Sequence, residues 1–567
     1  MDEQSTPEAG AEHPLAAAIR PGYTFEGPAL ELGALMADES TVLPVPIRIP
    51  IAMLNRHGLV AGATGTGKTK TLQLMAEQLS DAGVPVFAAD VKGDLTGLLV
   101  PGEDSPRVRD RAASVGQAWE PTGFPVELLA IGGEGTGTPL RATVSTFGPL
   151  LLSKVLGLNE TQESSLGLVF HYADQAGLPL LDLADLRAVV QHLVSDEGKP
   201  ELKQLGGLAP STAGVILREL IGFSDQGADA FFGEPEFDTA DLLRVLPDGR
   251  GVISLVELPR LADRPAVFST FLMWLLADLF HDLPEVGDVD KPKLVFFFDE
   301  AHLLFDDASE AFLDQVAQTV RLIRSKGVGV FFVTQQPTDV PDEVLAQLGS
   351  RVQHQLRAHT PNDAKALKET VATYPHPEYD DLGRVLTGLG TGEAIVTVMG
   401  ERGAPTPVAW TRLPAPRSLM ATAEQAVQDA AVAASPLHPT YAAAVDRESA
   451  RELLAARLER GAQKAAAEAG ASGGADAGAS GPGPDSPDGA SQDERLRAEA
   501  DRLERGSRAP RGGGSRAGGR AGRSGGRSGD AGGGDVLRDV VESKVFRDVV
   551  RTAAREIARG MFRTGRR

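Results

Sequence analysis

The chain has 567 residues and 42% of them are hydrophobic, so it is longer than one typical domain and can bury a large core. It contains no cysteine, which excludes disulfides and thiolate metal sites and fits a reducing cytosol. The formal net charge of -22 argues against a protein whose whole surface binds nucleic acid. A protein that grips nucleic acid with a few loops can still carry an acidic exterior, so this charge does not exclude DNA as a partner.

The sequence predicts neither a signal peptide nor a membrane-spanning helix. Its N-terminus, Met-Asp-Glu-Gln-Ser-Thr-Pro-Glu, is acidic and lacks the basic region and apolar stretch of a secretory signal. The most apolar helix candidate, residues 267–280, is shorter than the roughly 20 residues that span a bilayer, and it carries Asp278. We therefore expect a cytoplasmic protein without a transmembrane segment.

In chain order, the first segments are a disordered acidic leader at residues 1–22 and a short β lead-in at residues 23–54. Residues 55–415 alternate apolar runs with helical patterns, which predicts βαβ units around a mostly parallel sheet. Between residues 147 and 246 the strand pattern fades, and amphipathic patterns predict a helical insertion. The strands predicted for the core are 57–63, 84–90, 125–131, 251–258, 293–299, 328–334, 350–357 and 393–398.

Three further segments follow the predicted core. Residues 421–469 are rich in alanine and predict helix, whereas residues 470–534 are rich in Gly, Ala, Ser and Arg and predict a disordered linker. The linker could bind nucleic acid without sequence preference or only solubilise the chain. Residues 535–567 predict a basic amphipathic helix that could bind an unknown protein partner, mediate assembly, dock on the core or lie on an anionic membrane. Its arginines recur at four-residue spacing: Arg547, Arg551, Arg555, Arg559 and Arg563.

A short apolar strand runs into a glycine-rich turn closed by Gly-Lys-Thr, and a helix is predicted directly after it over residues 68–79. Glycines in such a turn adopt positive φ and direct backbone N–H groups at a phosphate. Lys68 can reach the β- and γ-phosphates, the Thr69 hydroxyl suits Mg²⁺, and the helix N-terminus favours negative charge. The sequence therefore predicts ATP and Mg²⁺ binding in a cradle formed by Gly62, Ala63, Thr64, Gly65, Thr66, Gly67, Lys68 and Thr69.

Two carboxylates, Asp299 and Glu300, end the apolar run Leu-Val-Phe-Phe-Phe. In the same sheet as the cradle, Asp299 would hold the Mg²⁺ shell through water, and Glu300 would polarise a water for attack on the γ-phosphate. The alternative is that the two carboxylates merely end a strand at the surface. His302 follows closely, but the chain has no cysteine and no spaced partner ligand, so we expect a structural role for this histidine.

Another buried strand, residues 328–334, ends in the amides Gln335 and Gln336. If this strand lies beside that of Asp299, Gln335 would lie near the γ-phosphate and could sense whether it is present. The alternative is a glutamine that simply caps the end of a strand.

Together these motifs resemble the HerA/FtsK superfamily of ring ATPases, and most closely the bacterial HerA-like helicase C-terminal domain ATPases. The resemblance covers residues 30–413. Beyond the cradle and the two strand ends, it is carried by Arg321-Leu-Ile-Arg-Ser-Lys-Gly327, Asp90-Val-Lys-Gly-Asp-Leu95, Leu158-Asn-Glu-Thr-Gln-Glu163 and Leu356-Arg-Ala-His-Thr-Pro-Asn-Asp-Ala-Lys-Ala366.

This resemblance implies a RecA-like P-loop α/β core that assembles as a homo-oligomeric ring, usually a hexamer, with ATP bound between subunits. It also implies that an arginine of the neighbouring subunit stabilises the transferring phosphoryl group. Arg324 is the best match by its position relative to the strand of Gln335, and Arg321 and Arg351 are lesser candidates. For Arg321 and Arg324 the alternative is a salt bridge on a helix surface.

The function implied by the resemblance is that of an ATP-hydrolysing ring motor, a DNA translocase or helicase. Two alternatives share the same core: a nucleotide-switched scaffold that acts on a protein partner, and a motor that moves protein. The chain lacks the full N-terminal barrel with which HerA docks a nuclease, so that partnership is not carried over. The run Asp299-Glu-Ala-His302 is also similar to the DEAH box of two-lobed helicases, but the sequence after residue 413 lacks the strands for a second lobe.

Overall fold

Twelve strands form one sheet in the part of the chain that the computed structural model describes, which is residues 12–258, 265–287, 289–305, 310–375 and 378–472. Within these ranges the strands are β1 (Ala29–Met36), β2 (Val42–Pro50), β3 (Gly58–Ala61), β4 (Val86–Asp90), β5 (Val126–Ile131), β6 (Thr138–Leu140), β7 (Ile253–Glu257), β8 (Leu294–Phe298), β9 (Val328–Thr334), β10 (Ser350–Gln353), β11 (Glu393–Thr397) and β12 (Ala409–Arg412).

The larger part of the sheet is parallel. In the order β2-β1-β12-β11-β10-β3-β9-β8-β4-β7-β5-β6, neighbours from β10 to β6 are parallel, and neighbours from β2 to β10 are antiparallel. The predicted α/β fold with a mostly parallel sheet is confirmed. The strands predicted for the core are all present, and most are shorter than predicted at one or both ends. The short strands β6 and β12 were not predicted.

Helices pack on both faces of this sheet. In the stretch that predicts a helical insertion, the structure has helices α4 to α8, and in the described ranges no helix is both long and apolar enough to cross a membrane. The helices are α1 (Pro14–Ile19), α2 (Lys68–Asp81), α3 (Pro106–Val115), α4 (Val144–Val155), α5 (Glu160–Gln175), α6 (Leu183–Val194), α7 (Lys199–Gln204), α8 (Pro210–Asp225), α9 (Pro265–Asp282), α10 (His302–Phe305), α11 (Glu310–Ile323), α12 (Asp342–Leu345), α13 (Pro361–Ala372), α14 (Leu382–Gly388), α15 (Gln425–Ala434), α16 (His438–Tyr441) and α17 (Ala450–Ser472).

The central strands are buried on both faces, which explains their near-continuous apolar sequences. In β8, Leu294, Phe296 and Phe298 enter one hydrophobic cluster, and Val295 and Phe297 enter the cluster on the opposite face. Helix α2 packs into the second cluster, whereas α9 and the helical insertion pack into the first. Aromatic pairs join β8 to β9 on each face. This packing fixes where both strands end.

The N-terminal segment contradicts one prediction, because residues 12–22 are not a disordered leader. Helix α1 is followed by a 3-10 turn over Arg20–Tyr23, and Ala16 and Ile19 are buried. The short apolar run of α1 joins the hydrophobic cluster that contains β1 and β2, and this burial offsets the entropy cost of ordering the segment. Residues 1–11 lie outside the described ranges.

The β lead-in and the Ala-rich segment both belong to the core rather than flanking it. Strand β1 pairs antiparallel with β12, so the lead-in extends the central sheet. Helix α17 packs on α6: the backbone N–H of Arg451 donates to Asp185 Oδ1 at 3.0 Å, and Leu454 is buried in the same cluster as the insertion. Because α17 extends to Ser472, residues 470–472 are helical, which corrects the predicted start of the linker. The rest of the linker and the predicted helix at residues 535–567 lie outside the described residues.

Two leucines one turn apart on α17 test whether this helix stabilises the core. Leu454 is 3% exposed and Leu458 is 46% exposed. We expect Leu454→Ala to lower the free energy of unfolding by about 2–3 kcal/mol because it leaves a cavity, and Leu458→Ala to change it by less than about 0.5 kcal/mol. Urea unfolding followed by tryptophan fluorescence measures both values. Equal effects of the two substitutions would contradict the packing of α17 on the core.

Candidate nucleotide-binding site

The carboxyl ends of four adjacent parallel strands meet at one edge of the sheet. Strand β3 leads into the glycine-rich loop, β9 into Gln335, β8 into Asp299, and β4 ends at Asp90. The register aligns these ends, since Ala61 of β3 lies opposite Thr334 of β9. Ligands of open α/β sheets bind outside the carboxyl ends of the strands, so this edge is the candidate site.

The glycine-rich loop has the backbone that the sequence predicts. The φ angle is +155° at Gly62, +82° at Gly65 and +118° at Gly67, and α2 begins directly afterwards at Lys68. The Lys68 ammonium lies over the loop and donates to the carbonyl oxygen of Gly62 at 2.7 Å. Burial lowers the pKa of Lys68, while the charge of Glu300 opposes this shift. The glycine-rich loop and the Lys68 side chain therefore line the same region of the site.

The remaining cradle residues lie along the same turn. Thr66 Oγ1 donates to the carbonyl oxygen of Ala63 at 2.8 Å, and the Ala63 N–H donates to the carbonyl oxygen of Gln355 at 2.9 Å. Thr64 is exposed, and Thr69 is half-buried in the first turn of α2. The loop is thus tied to the strand end at β10 as well as to β3.

His354 supports the loop from the side of the sheet. It is fully buried just after β10, and its Nε2 lies 2.9 Å from Oγ1 of Thr71 in α2. A Cβ atom at Gly62 would lie 2.4 Å from the Cβ of His354, so only glycine fits there. Burial lowers the pKa of His354 to about 4, and the charge of Lys68 adds to this shift. The imidazole is therefore neutral at physiological pH.

Asp299 has the properties of a ligand for Mg²⁺ or its water shell. It is 1% exposed, and its Oδ2 has no hydrogen-bond partner among the described residues. A buried carboxylate oxygen without a partner costs free energy unless a cation or water binds it. Burial raises the pKa of Asp299 to about 7, Lys92 opposes this shift and Glu300 adds to it. Carboxylate and hydroxyl oxygens suit Mg²⁺, so Asp299 and Thr69 fit this ion.

Glu300 combines an unusual backbone with a crowded carboxylate. Its φ is +49°, in the left-handed region that non-glycine residues seldom adopt. The carboxylate forms an ion pair with Lys92, accepts a hydrogen bond from Gln335 Nε2 at 3.5 Å and lies 3.3 Å from His302 Nδ1. Burial acts to raise the pKa of Glu300, but the hydrogen bond and charge of Lys92 outweigh it and hold the pKa below its usual value. Glu300 is therefore ionised at neutral pH.

Gln335 reaches Glu300 because the turn after β9 is closed by hydrogen bonds. Thr334 Oγ1 and the Gln336 N–H both donate to Asp339 Oδ2, at 2.7 and 2.8 Å. The carbonyl oxygen of Thr334 also accepts the N–H of the first loop glycine at 3.2 Å. The end of β9 therefore contacts both the loop and Glu300.

Of the arginines that the resemblance implicates, Arg324 lies away from this site in its own chain. Arg324 precedes β9 and Gln335 follows it, so the 7 residues of β9 separate the two by about 23 Å. Arg351 donates to Thr373 Oγ1 at 2.7 Å, and Arg321 is exposed near the end of α11. Arg324 is therefore too far along β9 to contact a γ-phosphate bound in its own chain.

Sequence reasoning assigned no role to two residues of the site. Lys92 contacts Glu300 although 208 positions separate them in the sequence. The feature that could have indicated this contact is the motif Asp90-Val-Lys-Gly at the end of a predicted strand of the same sheet. His354 lies inside the predicted strand 350–357. A single histidine in a predicted strand does not indicate that its side chain packs against the glycine-rich loop. Both contacts depend on the order of strands in the sheet, which local patterns do not contain.

Substitution of Gly62 tests the close approach of the loop to His354. A Cβ at Gly62 would overlap with His354, whereas a Cβ at Gly65 would meet no atom of the described residues within 4 Å. Both glycines have positive φ, so both substitutions strain the backbone. We expect Gly62→Ala to lower the melting temperature without nucleotide by about 3 °C or more beyond Gly65→Ala, because only it adds a steric overlap. Circular dichroism during heating measures this difference, and equal shifts would contradict the overlap.

Several known proteins are similar to this chain. The family described as "Helicase HerA-like C-terminal" matches residues 38–567. The chain is 22% identical over 395 residues to the DNA double-strand break repair helicase HerA of Sulfolobus acidocaldarius, covering 69% of this chain and 71% of that protein. It is 25% identical over 395 residues to a probable helicase of Methanocaldococcus jannaschii, covering 66% of this chain and 68% of that protein.

Two solved structures with similar chains are a conjugative coupling protein and a VirB4 protein. The bacterial conjugative coupling protein TrwBdeltaN70 has a TM-score of 0.48 and 15% identity, covering 72% of this chain and 94% of that chain. VirB4 of Thermoanaerobacter pseudethanolicus has a TM-score of 0.42 and 14% identity, covering 69% of this chain and 98% of that chain. Because the family match extends over most of the sequence, this chain belongs to the helicase HerA-like C-terminal family.

Proposed function

We propose that this chain is an ATP-hydrolysing motor that acts on DNA, as a translocase or helicase. The observation that carries the proposal is the meeting of Lys68, Asp299, Glu300 and Gln335 around a glycine-rich loop at one edge of the sheet. Membership of the HerA-like family supports it, and relatives in two archaea are DNA double-strand break repair helicases.

The proposed chemistry follows from the roles of these side chains. The phosphates of ATP bind the N–H groups of residues 62–69 and the Lys68 ammonium. Thr69 and Asp299 would hold Mg²⁺, which neutralises charge on the β- and γ-phosphates when bound. Glu300 accepts a proton from the attacking water while the oxygen of that water forms a bond to the γ-phosphorus. The bond between the γ-phosphorus and the β–γ bridging oxygen breaks, and ADP keeps the electron pair. Gln335 detects the γ-phosphate through its contact with Glu300.

The position of Arg324 supports assembly as a homo-oligomeric ring with ATP between subunits. A cationic side chain near the γ-phosphate stabilises the charge that develops during transfer. Since Arg324 lies at the far end of β9 from its own Gln335, this cation would come from a neighbouring copy. We propose that this ring is a hexamer. The net charge of -22 is compatible with DNA binding if the contacts are confined to a few loops.

Glu300→Gln tests hydrolysis and the action on DNA together. The amide keeps the shape of the side chain but cannot accept the proton of water, so we expect ATP turnover to fall about 10²- to 10³-fold while ATP binding persists. Glu310→Gln, at the exposed start of α11, is the matched control and should keep wild-type turnover. Phosphate release is measured with and without DNA, and DNA should stimulate the wild type but not Glu300→Gln.

The outcomes of this experiment separate the two parts of the proposal. Wild-type turnover that neither single- nor double-stranded DNA changes, together with no ATP-dependent strand displacement or translocation, would contradict action on DNA. Unchanged turnover in Glu300→Gln would instead contradict the role of this carboxylate.

Mixed assemblies test whether Arg324 acts on a neighbouring site. Arg324→Ala and Lys68→Ala should each lose nearly all turnover, the first with ATP binding intact and the second without it. In an equal mixture of the two proteins, turnover should recover to about a quarter of the wild-type value, because that share of sites has both an intact loop and an intact neighbouring arginine. Arg218→Ala, an exposed arginine of α8, is the control and should be fully active. Mixtures that stay inactive would show that Arg324 does not act in trans.

A further inference from the structure

The turn after β4 presents a lysine to the carboxylate that the proposed chemistry uses. Asp90 closes this turn, because its carboxylate oxygens accept hydrogen bonds from the N–H groups of Gly93 at 2.7 Å and Leu95 at 2.9 Å. Strand β4 is the parallel neighbour of β8, so the turn lies next to the end of β8. Lys92 is therefore held beside Glu300 by a closed backbone turn rather than by chance surface contact.

Both oxygens of Glu300 have partners in this arrangement. Oε1 forms the ion pair with Lys92. Oε2 accepts from Gln335 Nε2 at 3.5 Å and lies 3.3 Å from His302 Nδ1. A carboxylate bound to an ammonium is a weaker base, because the positive charge stabilises its ionised form. The ion pair with Lys92 therefore makes Glu300 a weaker proton acceptor than an unpaired carboxylate.

The lysine of this pair is the partner that can move. Its side chain is 41% exposed, whereas that of Glu300 is 7% exposed. Lysine carries a compact charge on a flexible four-carbon stem, so it can change partners without backbone movement. Glu300 also experiences the charge of Lys68, so the two ammonium groups face the same small region. A terminal phosphate entering this region offers more negative charge and more acceptor oxygens than one carboxylate does.

We propose that Lys92 is a ligand of the γ-phosphate in addition to Lys68. When ATP binds, Lys92 breaks its ion pair with Glu300 and binds the γ-phosphate instead. This inference rests on the proposed ATPase function. Before ATP binds, Lys92 forms an ion pair with Glu300 Oε1. After ATP binds, Lys92 donates a hydrogen bond to a γ-phosphate oxygen and Glu300 Oε1 is released. The freed carboxylate takes the proton of the attacking water as the oxygen–phosphorus bond forms, and the β–γ bridging oxygen leaves with ADP. Lys92 thus couples the presence of the γ-phosphate to the basicity of Glu300.

A double-mutant cycle on nucleotide binding tests this exchange without hydrolysis or DNA. The affinities of a non-hydrolysable ATP analogue and of ADP are measured for the full-length wild type, Lys92→Met, Glu300→Gln and the double variant. If Lys92 must leave Glu300 to reach the phosphate, Glu300→Gln should tighten analogue binding about tenfold with Lys92 present but only about threefold or less in Lys92→Met. The gain that remains in Lys92→Met reflects the repulsion between Glu300 and the phosphate alone.

ADP provides the internal control for this cycle, because it lacks the γ-phosphate. Its affinity should vary by less than about twofold across the four proteins. Lys365→Met replaces a lysine whose side chain is 76% exposed on α13 and should leave both affinities unchanged. An equal gain from Glu300→Gln in both backgrounds would overturn the exchange, and so would an effect of the same size on ADP.

Steady-state turnover distinguishes a phosphate ligand from a residue that only restrains Glu300. Lys92→Met should lower kcat about 10²-fold with a smaller change in KM, and Lys92→Arg should recover part of it, because a cation near the transferring phosphoryl group stabilises the transition state. Turnover equal to or above the wild type in Lys92→Met would overturn the proposal. A wild type that hydrolyses no ATP would instead overturn the proposed function, so the two failures are distinguishable.

Discussion

The parallel pairing of β3, β9, β8 and β4 is the constraint on which the site depends. Because these strands run the same way and are neighbours, each one delivers its polar residue to the same edge of the sheet. Burial on both faces fixes this alignment: a slip of one residue in β8 would exchange its aromatic side chains between two different clusters. The packing of Phe296, Phe297 and Phe298 therefore determines where Asp299 and Glu300 lie. The chemistry of the edge is a consequence of the hydrophobic core.

The charges at this edge are complementary to a metal–nucleotide complex. Asp299 is buried with an oxygen that has no partner among the described residues, and burial raises its pKa to about 7, so a cation there would be stabilising. Lys68 is folded onto carbonyl oxygens of its own loop, which are weak partners for an ammonium compared with a phosphate. Lys92 and Glu300 neutralise each other. In a complex of Mg²⁺ with a triphosphate, the positive ion would pair with Asp299 and the negative phosphates would pair with Lys68 and Lys92.

Much of this arrangement follows from local sequence patterns, and the remainder follows from contacts between distant residues. The phosphate loop, the strand before it and the helix after it were predictable because glycine spacing and hydrophobic periodicity are local. Asp299, Glu300 and Gln335 were predictable because strand ends in a parallel sheet meet at one edge. The pairing of Lys92 with Glu300 and the packing of His354 on Gly62 were not, since they depend on which strands become neighbours. Helix α1 was missed because its short apolar run is ordered by packing against β1 and β2, which the local sequence does not contain.

The separation of Arg324 and Gln335 by the length of β9 also restricts the symmetry of assembly. If Arg324 completes a neighbouring site, two copies meet through different surfaces, the arginine end of one and the loop end of the other. Such an interface is heterologous, so a pair of copies always leaves one surface of each kind unused. A two-fold dimer cannot satisfy both surfaces. Association must continue until the rotation between successive copies closes on itself, and a rotation that does not close would produce a filament.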